Sequence, residues 1–296
     1  MLATIQAKQT APIAIAETTE QMIGLWLHGK SKNTTNAYRR DIYEFLALAG
    51  GVELGRVTLN HLQNYETALG ELGRSPNTIA RKLAAVKSLL TFAHRIGVVG
   101  HNAGALVQTK PDKDKLSERI LSHGEVLDMI YSTENQRDRL LLKMLYATGA
   151  RVSELCRLTW DDIKSNGDGT TRVTLFGKGD KTRVVLIDSG LYAELKKLNI
   201  AGKLHLGAKV VFRSRKGAKA LTRGQVFRIV KQAASRAGIE GNVSPHWLRH
   251  SHASHSLDNN APIHVVQKSL GHASITTTER YLHANPKDSS GLYLRI

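Results

Sequence analysis

The sequence predicts a mainly α-helical protein with a small antiparallel β-sheet, folded as two domains. Apolar residues recur at three- and four-residue spacing through the first part of the chain, which is the period of helices with one buried face. Near the middle, the stretch TTRVTLFGKGDKTRVVLI alternates around a glycine-containing turn, as β-hairpins do. Between these two regions lies QTKPDKDKLSERILS, whose charge and proline are typical of an exposed linker.

The helix predicted to begin beside Ser75 is the clearest element of the N-terminal part. Ser75 can cap this helix, Pro76 suits its first position, and Gly97 ends it. Its apolar face is formed by Ile79, Leu83, Val86, Leu90 and Ala93. Three basic residues lie outside that apolar face, and we expect them to contact a phosphate backbone: Arg81, Lys82 and Lys87.

The second part of the chain opens with SHGE, in which Ser122 and Glu125 form the pattern of a capping box. One of the helices that follow is predicted to end at Gly149, and a short helix covers residues 152–158. The helical period returns after the hairpin and lasts almost to the end of the chain. The alternating apolar residues of the hairpin are Val173, Leu175, Val184 and Leu186.

These patterns divide the chain into four segments. We expect an N-terminal tail over residues 1–15 and a helical domain over residues 16–108. A linker follows over residues 109–118, with the boundary near Lys113. The second domain covers residues 119–296 and includes a C-terminal tail.

The charge of the chain indicates a polyanionic partner. There are 42 Lys and Arg residues against 25 Asp and Glu, a formal net charge of +17. A field of that sign attracts nucleic acid, the most common large polyanion in cells, although ribosome-bound and anionic-lipid-bound proteins are also basic. DNA or RNA is therefore the partner that the charge favours.

The sequence predicts neither a disulfide nor a membrane segment. Cys156 is the only cysteine, so no intrachain disulfide can form, which is typical of a reducing cytosol. The first twenty residues lack the basic start and apolar core of a signal peptide. The longest apolar run, LLLKMLYATGA, is interrupted by Lys143. We expect a cytoplasmic, nucleoid-associated protein with no membrane partner.

Two segments carry a cation suited to binding a phosphodiester. In ATGARVSELCRLTW, Arg151 follows a helix end, and its planar guanidinium matches phosphate oxygens. Taken alone, it is better explained as a surface arginine or as a partner of Glu154. In FGKGDKTR, Lys178 stands at the hairpin tip between two glycines. Alone, it is better explained as a solvated turn lysine.

A third segment, SPHWLRHSHASH, combines a titratable imidazole with a fixed cation. Ser244 and Pro245 start a helix, so His246 and Arg249 lie on one face. The density of histidines also suggests metal binding as an alternative interpretation, because His250 lies four residues after His246 on the same helix face. No glutamate stands between those two histidines, so the pattern is not that of a zinc protease, and we expect no metal.

The fourth segment, SLGHASITTTERYLHAN, carries a candidate nucleophile. Leu270 and Gly271 close a helix whose Ile263, Val266 and Leu270 are predicted to face inward. His272 follows at once, and Tyr281 stands on the next helix. The polar neighbours Glu279, Arg280 and His283 predict that this tyrosine does not lie in the deep core.

Separately these four signals are weak, but their order is specific. An arginine, a hairpin lysine, His-x-x-Arg, Leu-Gly-His and a tyrosine nine residues later resemble the tyrosine recombinase (phage integrase) family. In size and layout the chain most resembles the XerC/XerD-type recombinases and simple transposon or phage integrases. The resemblance covers nearly the whole chain and is strongest from Leu145 to His283. The matching stretches are ATGARVSEL, GKGDKTR, HWLRH and LGHASITTTERY.

The resemblance implies a role for each matching residue. Arg151 and Arg249 would grip the scissile phosphate, and Tyr281 would attack it. Lys178 would protonate the leaving 5′ oxygen, and His246 would assist the proton transfers. His272 and Glu154 match, respectively, a second phosphate-contacting position and an acidic position that orients the site.

The resemblance also implies how the whole protein works. A SAM-like helical core-binding domain and an α+β catalytic domain would form a C-shaped clamp on DNA. Four protomers, identical or including a paralogue, would recombine two sites through 3′-phosphotyrosyl bonds and a four-way junction. Neither metal, ATP nor another cofactor is required, which agrees with the absence of a GxxxxGK[ST] loop.

Two other functions remain open. A type IB topoisomerase uses the same chemistry on a single duplex, and a transcriptional regulator could bind DNA without cutting it. The recombinase-like N-terminal helices favour recombination over the first alternative. The complete set of Arg, Lys, His and Tyr residues favours catalysis over the second.

Overall fold

The structure is a computed structural model, and it describes residues 18–108, 116–177, 181–201, 209–214 and 219–284. The chain divides into two compact units, Met1–Lys113 and Asp114–Ile296. Several predictions lie outside the described residues: the tail over 1–15, most of the linker, the hairpin tip with Lys178, and the C-terminal tail beyond residue 284. Within the described residues, no helix is long and apolar enough to cross a bilayer.

The first unit is helical throughout its described part. Its helices are α1 (Thr19–Leu27), α2 (Lys32–Leu48), α3 (Leu59–Glu71) and α4 (Pro76–Arg95), with short 3-10 turns at Leu54–Arg56 and Ala103–Leu106. Helix α4 begins as predicted, because the Ser75 hydroxyl accepts a hydrogen bond from the Thr78 backbone N–H and Pro76 takes the first position. Gly97 follows its end with a positive φ of 78°. The predicted apolar face of α4 packs into the core of this unit.

Each of the three basic residues predicted to contact DNA from α4 has a partner within the unit. Lys82 is buried, and its Nζ lies 3.1 Å from Asp41 Oδ1 and 2.5 Å from Glu44 Oε2. Arg81 pairs with the same Asp41 carboxylate, and Lys87 donates to the Val107 carbonyl. The predicted position of Lys82 outside the buried face of α4 is wrong. Lys82 pairs with a buried carboxylate on another helix, which the spacing of residues along α4 cannot reveal.

The second unit contains the remaining helices and strands that the structure describes. These are α5 (His123–Tyr131), α6 (Gln136–Thr148), α7 (Val152–Arg157), β1 (Ile163–Ser165), β2 (Thr170–Phe176), β3 (Thr182–Asp188), α8 (Ser189–Ala201), α9 (Arg223–Arg236), α10 (Pro245–Asp258), α11 (Ile263–Leu270) and α12 (Thr276–Ala284). The capping box of Ser122 and Glu125 is present at α5. The predicted fold class, mainly helical with a small antiparallel sheet, is confirmed.

The sheet has three described strands in the order β1–β2–β3, all antiparallel, and β1 was not predicted. Of the alternating apolar residues, Val173 and Leu175 of β2 are buried. On β3, Val184 and Leu186 are exposed, while Val185 and Ile187 are buried. The register explains the difference: Val173 pairs with Val185, and paired residues share one face of a sheet.

Two helices of the second unit end on glycines in the left-handed conformation. Gly149 follows α6 with φ 56°, and Gly271 follows α11 with φ 65°. Both helix ends turn toward α10, which packs against α6, α11 and α12. Next to them is a small apolar cluster made of Leu116, Ala253, Val266, Leu270 and Tyr281. The ends of α6 and α11 therefore meet α10 and α12 at one junction, where a cavity opens.

Candidate active site

A cavity of about 350 Å³ opens where the start of α7 and the helices α10, α11 and α12 meet. Its lining consists mainly of basic residues, a tyrosine and two histidines. The lining residues are Leu116, Arg119, Arg151, Arg249, His250, His272, Thr277, Arg280 and Tyr281. Of the residues predicted from the sequence, Arg151, Arg249, His272 and Tyr281 are thus brought together.

Arg151 is held at the N-terminus of α7 by Glu154. The Arg151 backbone N–H donates to Glu154 Oε2 at 2.7 Å, and its Nη1 lies 3.2 Å from Oε1. The arginine side chain is still 38% exposed, which leaves the rest of its guanidinium free to face the cavity. The pairing suggested by the sequence is therefore present, and it orients Arg151 without removing it from the cavity.

Glu154 also binds Arg183, a residue of β3 that sequence reasoning did not single out. Arg183 Nη1 and Nη2 lie 2.7 and 2.8 Å from the two Glu154 oxygens, and its Nε donates to the Ser269 carbonyl at 2.6 Å. Burial alone would raise the pKa of Glu154, but the hydrogen bonds and charges of Arg183 and Arg151 outweigh it and hold that pKa below its usual value. The carboxylate is ionised and links the hairpin to the cavity wall.

Arg249 is the buried cation of the site, with 5% of the residue exposed. Its Nη1 donates to the Gly149 carbonyl at 2.5 Å and its Nη2 to the Leu270 carbonyl at 2.7 Å. Burial and the charges of Arg151 and Arg183 lower the pKa of Arg249 to about 10, so it stays protonated at neutral pH. Two orphan carbonyls at helix ends thereby fix its orientation.

The histidines of the site are neutral at physiological pH. Burial, followed by the charges of nearby arginines, lowers the pKa of His272 to about 4. Its Nδ1 lies 2.9 Å from the Thr278 hydroxyl, and its ring stacks on Tyr281 with centroids 6.4 Å apart. His246 is exposed in the first turn of α10, and burial together with Arg249 and Arg151 lowers its pKa. His246 does not line the cavity itself.

Tyr281 is more buried than its polar neighbours suggested, with 6% of the residue exposed. Helix α12 packs its ring into the apolar cluster, while its hydroxyl lies 2.8 Å from Nδ1 of His250. Burial raises the pKa of the phenol, and the charges of Arg249 and Arg280 partly oppose that rise. The expectation that Tyr281 avoids the core is corrected: the ring belongs to the core and the hydroxyl to the cavity.

Lys178 lies outside the described residues, but the residue before it adjoins the site. Gly177 donates its N–H to the Lys181 carbonyl at 2.8 Å, which closes the base of the hairpin loop. A methyl group placed on Gly177 would lie 3.5 Å from Glu154 Oε1 and 4.0 Å from Arg151 Nη1. Strand β2 therefore delivers the chain to the wall of the cavity immediately before Lys178.

Sequence reasoning missed four residues that the fold brings to the site: Arg119, Arg183, His250 and Arg280. His250 was considered only as a metal ligand, although its spacing from His246 places both on one helix face. Among the described residues, no group of three or more His, Cys, Asp or Glu side chains is placed to hold a metal ion.

This arrangement is suited to a phosphodiester. Arginines in a partly enclosed cavity bind the non-bridging oxygens of a phosphate more strongly than they would in water. A phenol with its oxygen beside that phosphate position can act as a nucleophile once its proton is removed. The same cations stabilise the extra negative charge of a pentacoordinate transition state.

Family comparisons agree with these features. Residues 118–288 match the model of the phage integrase family, and residues 22–97 match that of the phage integrase N-terminal SAM-like domain. A tyrosine recombinase XerD of Staphylococcus haemolyticus is 32% identical over 277 residues, which cover 90% of this chain and 92% of the relative.

Solved structures share the fold. A XerH site-specific recombinase bound to a palindromic difH substrate, in a post-cleavage complex, is similar with a TM-score of 0.76 at 22% identity, covering 92% of this chain and 83% of that one. A lambda integrase tetramer bound to a Holliday junction gives a TM-score of 0.72 at 18% identity, covering 92% and 84%.

Proposed function

This chain belongs to the phage integrase family of tyrosine recombinases, and from that premise we propose that Tyr281 is the nucleophile that cuts and holds the DNA strand. The protein is a site-specific DNA recombinase. The observation that supports the assignment of Tyr281 best is the position of its hydroxyl in an arginine-lined cavity. The phenol oxygen attacks the scissile phosphorus, which leaves a 3′-phosphotyrosyl bond and a free 5′-hydroxyl.

Arg151 and Arg249 bind the non-bridging oxygens of the scissile phosphate. Both line the cavity, and both are oriented by fixed partners, Glu154 for the first and two helix-end carbonyls for the second. Cations that are held in place before the reaction do not have to reorganise as charge develops, which is the main source of their catalytic effect. His272, stacked on Tyr281, provides a further contact to the phosphate.

Proton transfer to the leaving group falls to Lys178. The 5′ oxygen of deoxyribose is a poor leaving group unless it is protonated, and a lysine on a glycine-flanked hairpin tip can reach it. The position of Gly177 beside Arg151 and Glu154 supports this role. His246, at the exposed start of α10, assists the proton transfers.

The ester bond to Tyr281 conserves the energy of the cut phosphodiester, so strand exchange requires no ATP. Attack by the 5′-hydroxyl of a partner strand exchanges one strand, and a second round through a four-way junction completes recombination. We propose that four protomers, identical or including a paralogue, act on two sites. A lambda integrase tetramer on a Holliday junction, which shares this fold, supports that arrangement.

The proposed domain limits follow the sequence expectation. Residues 16–108 form the core-binding domain, 109–118 the linker and 119–296 the catalytic domain, and both domains bind double-stranded DNA. The two compact units and the two matched family models support this division. Action on DNA implies the cytoplasm, at the nucleoid, as the site of function.

The test is covalent capture on a nicked suicide substrate, in which the cut fragment diffuses away and religation is prevented. The reaction is run in EDTA without ATP. Wild-type protein should form an adduct that denaturant does not dissociate, and Tyr281→Phe should form none while it binds DNA with near wild-type affinity. The reverse result, an adduct on the Phe variant, would identify a different nucleophile. Cleavage that needs added Mg²⁺ would contradict the metal-free mechanism.

A further inference from the structure

The proton on the Tyr281 hydroxyl has a defined neighbour in the structure. Nδ1 of His250 lies 2.8 Å from the Tyr281 oxygen, and the two ring centroids are 5.8 Å apart. His246, the histidine expected to assist proton transfer, lies one helical turn earlier, with its ring centroid 6.4 Å from that of His250. The imidazole in hydrogen-bonding contact with the reacting oxygen is therefore that of His250.

We propose, on the basis of the function proposed above, that His250 is a catalytic residue that accepts the Tyr281 proton during strand cleavage. The contact is direct and within the range in which general bases operate. Both side chains line the same cavity, so the proton is transferred where the phosphate binds.

The surroundings of His250 make its strength as a base dependent on bound DNA. His246 and Arg249 act on it from its own helix, Arg119 from the 3-10 turn Ser117–Arg119 before α5, and Arg280 from α12. Burial is the first cause that lowers the pKa of His250 to about 4, and the charges that these groups carry when protonated act in the same direction. Without DNA it is therefore neutral and a weak base.

Binding of DNA reverses part of that effect. The scissile phosphate brings a negative charge into the cavity between Arg151, Arg249 and His250. An anion close to an imidazole favours its protonated form and raises its pKa toward the operating pH. The base becomes effective only when the phosphate that Tyr281 must attack is in place, which protects the phenol from ionising in the free protein.

The proton and bonds balance in both directions. In cleavage, the hydroxyl proton of Tyr281 moves to Nδ1 of His250, the bond between the phenol oxygen and phosphorus forms, and the bond from phosphorus to the 5′ oxygen breaks. The 5′ oxygen takes its proton from Lys178. In ligation, a 5′-hydroxyl attacks, the phenolate leaves, and the His250 imidazolium returns the proton to it. His250 must carry its other proton on Nε2 before cleavage.

The first experiment compares His250→Asn with His246→Asn and wild type in single-turnover cleavage of the suicide substrate. Asparagine places an oxygen near the position of Nδ1, so it can still accept a hydrogen bond from Tyr281 but cannot hold the proton. We expect a loss of about 10²–10⁴-fold in the cleavage rate of His250→Asn, with DNA binding and thermal stability near wild type. A rate within a few-fold of wild type would show that His250 only positions the ring, and would overturn the proposal.

The second experiment asks whether a more acidic phenol restores the reaction. Fluorinated tyrosines incorporated at position 281 lose their proton more readily, so they depend less on a base. Fluorination should restore the cleavage rate of His250→Asn far more than it changes the rate of wild type. The cleavage rate of wild type should also rise with pH as His250 loses its proton, and the rate of the Asn variant should not show this rise. Equal effects on both proteins would reject His250 as the acceptor. If wild type itself forms no Tyr281 adduct, the proposed function fails instead.

Discussion

The side chain of Arg249 has a role in the site and a role in the fold, and both use the same guanidinium group. Its guanidinium lines the cavity, and it also donates to the carbonyls of Gly149 and Leu270, which end α6 and α11. Hydrogen bonds from a charged donor to a buried acceptor contribute about 1.5–3 kcal/mol each. The residue that would bind the substrate therefore also holds two helices together.

Arg249→Lys should consequently lose both activity and stability. A lysine has one ammonium and no planar fork, so at least one of the two carbonyls is left without its donor. We expect the free energy of unfolding of the second unit to fall by about 2–3 kcal/mol, and suicide-substrate cleavage to fall as well. Denaturant titration of this variant, with the exposed Arg228→Lys as the matched control, measures the first effect. Unchanged stability in Arg249→Lys would show that the carbonyls find other donors.

The site was predictable from the sequence where spacing along one helix decides it. His246 and Arg249 lie three residues apart in one helix, and Leu-Gly-His marks where α11 ends. Arg183 was not predictable, because its partners Glu154 and Ser269 lie 29 and 86 positions away from it in the sequence. Contacts of that kind depend on packing that no local pattern contains.

At the scale of elements, Gly149 at the end of α6 leaves the least room for a side chain among the glycines that the structure describes. Gly149 has a φ of 56°, and a Cβ placed on it would lie 2.7 Å from both His252 Cδ2 and Leu270 Cδ2. The close approach lets the α6–α7 turn pack against α10 and α11, which brings Arg151 beside Arg249. Glycine is required here for its backbone conformation and for its lack of a side chain.

Gly149→Ala should therefore destabilise the second unit. The left-handed conformation costs an alanine about 1–2 kcal/mol, and the overpacking adds about 1–3 kcal/mol. Gly124→Ala, in α5, is the control, since a Cβ there meets nothing within 4 Å. Differential scanning calorimetry should show a clearly lower melting temperature for Gly149→Ala and little change for the control. Similar melting temperatures for the two variants would mean that His252 and Leu270 move aside at low cost.

Element boundaries were easier to predict than element faces. Caps at Ser75 and Ser122 and the glycine after α6 gave boundaries, because capping is local chemistry. The face of β3 depended on which residue pairs with Val173, and a shift of one residue inverts every side chain. Lys82 is buried because it pairs with Asp41, 41 residues earlier in the sequence. The helical period of α4 could not reveal that partner.

At the scale of the whole molecule, the formal charge of +17 controls how the protein meets DNA. Because Lys82 is buried and Arg81 is paired with Asp41, we expect other cations of the first unit to contribute phosphate contacts. Arg39 and Arg40 are exposed on α2, in an open groove that they share with Asn36 and Tyr43. An exposed arginine that contacts a phosphate displaces a condensed counterion, whereas a buried, paired lysine does not.

We expect duplex binding to weaken steeply with salt, with a log–log slope of several units, since each neutralised phosphate contributes about 0.9. Replacing both Arg39 and Arg40 with Gln should reduce that slope by roughly one to two units. Fluorescence anisotropy titrations between low and physiological salt provide the measurement. The control is Arg228→Gln with Arg236→Gln, a pair of exposed arginines on α9. A slope unchanged by the α2 substitutions would place the phosphate contacts elsewhere.

The two hydrogen bonds of Arg249 also bear on how this protein would decay. A descendant gene released from selection for strand exchange could lose the Tyr281 hydroxyl, as in Tyr281→Phe, without unfolding its product, because the ring would stay in the apolar cluster. Loss of Arg249 would leave the carbonyls at the ends of α6 and α11 without their donor and make the product more susceptible to proteolysis. Degenerate copies that persist as folded DNA-binding proteins should therefore keep Arg249 after Tyr281 has been replaced by phenylalanine. In such lineages a retained Arg249 is evidence of selection for folding, and a retained Tyr281 hydroxyl is evidence of selection for strand exchange.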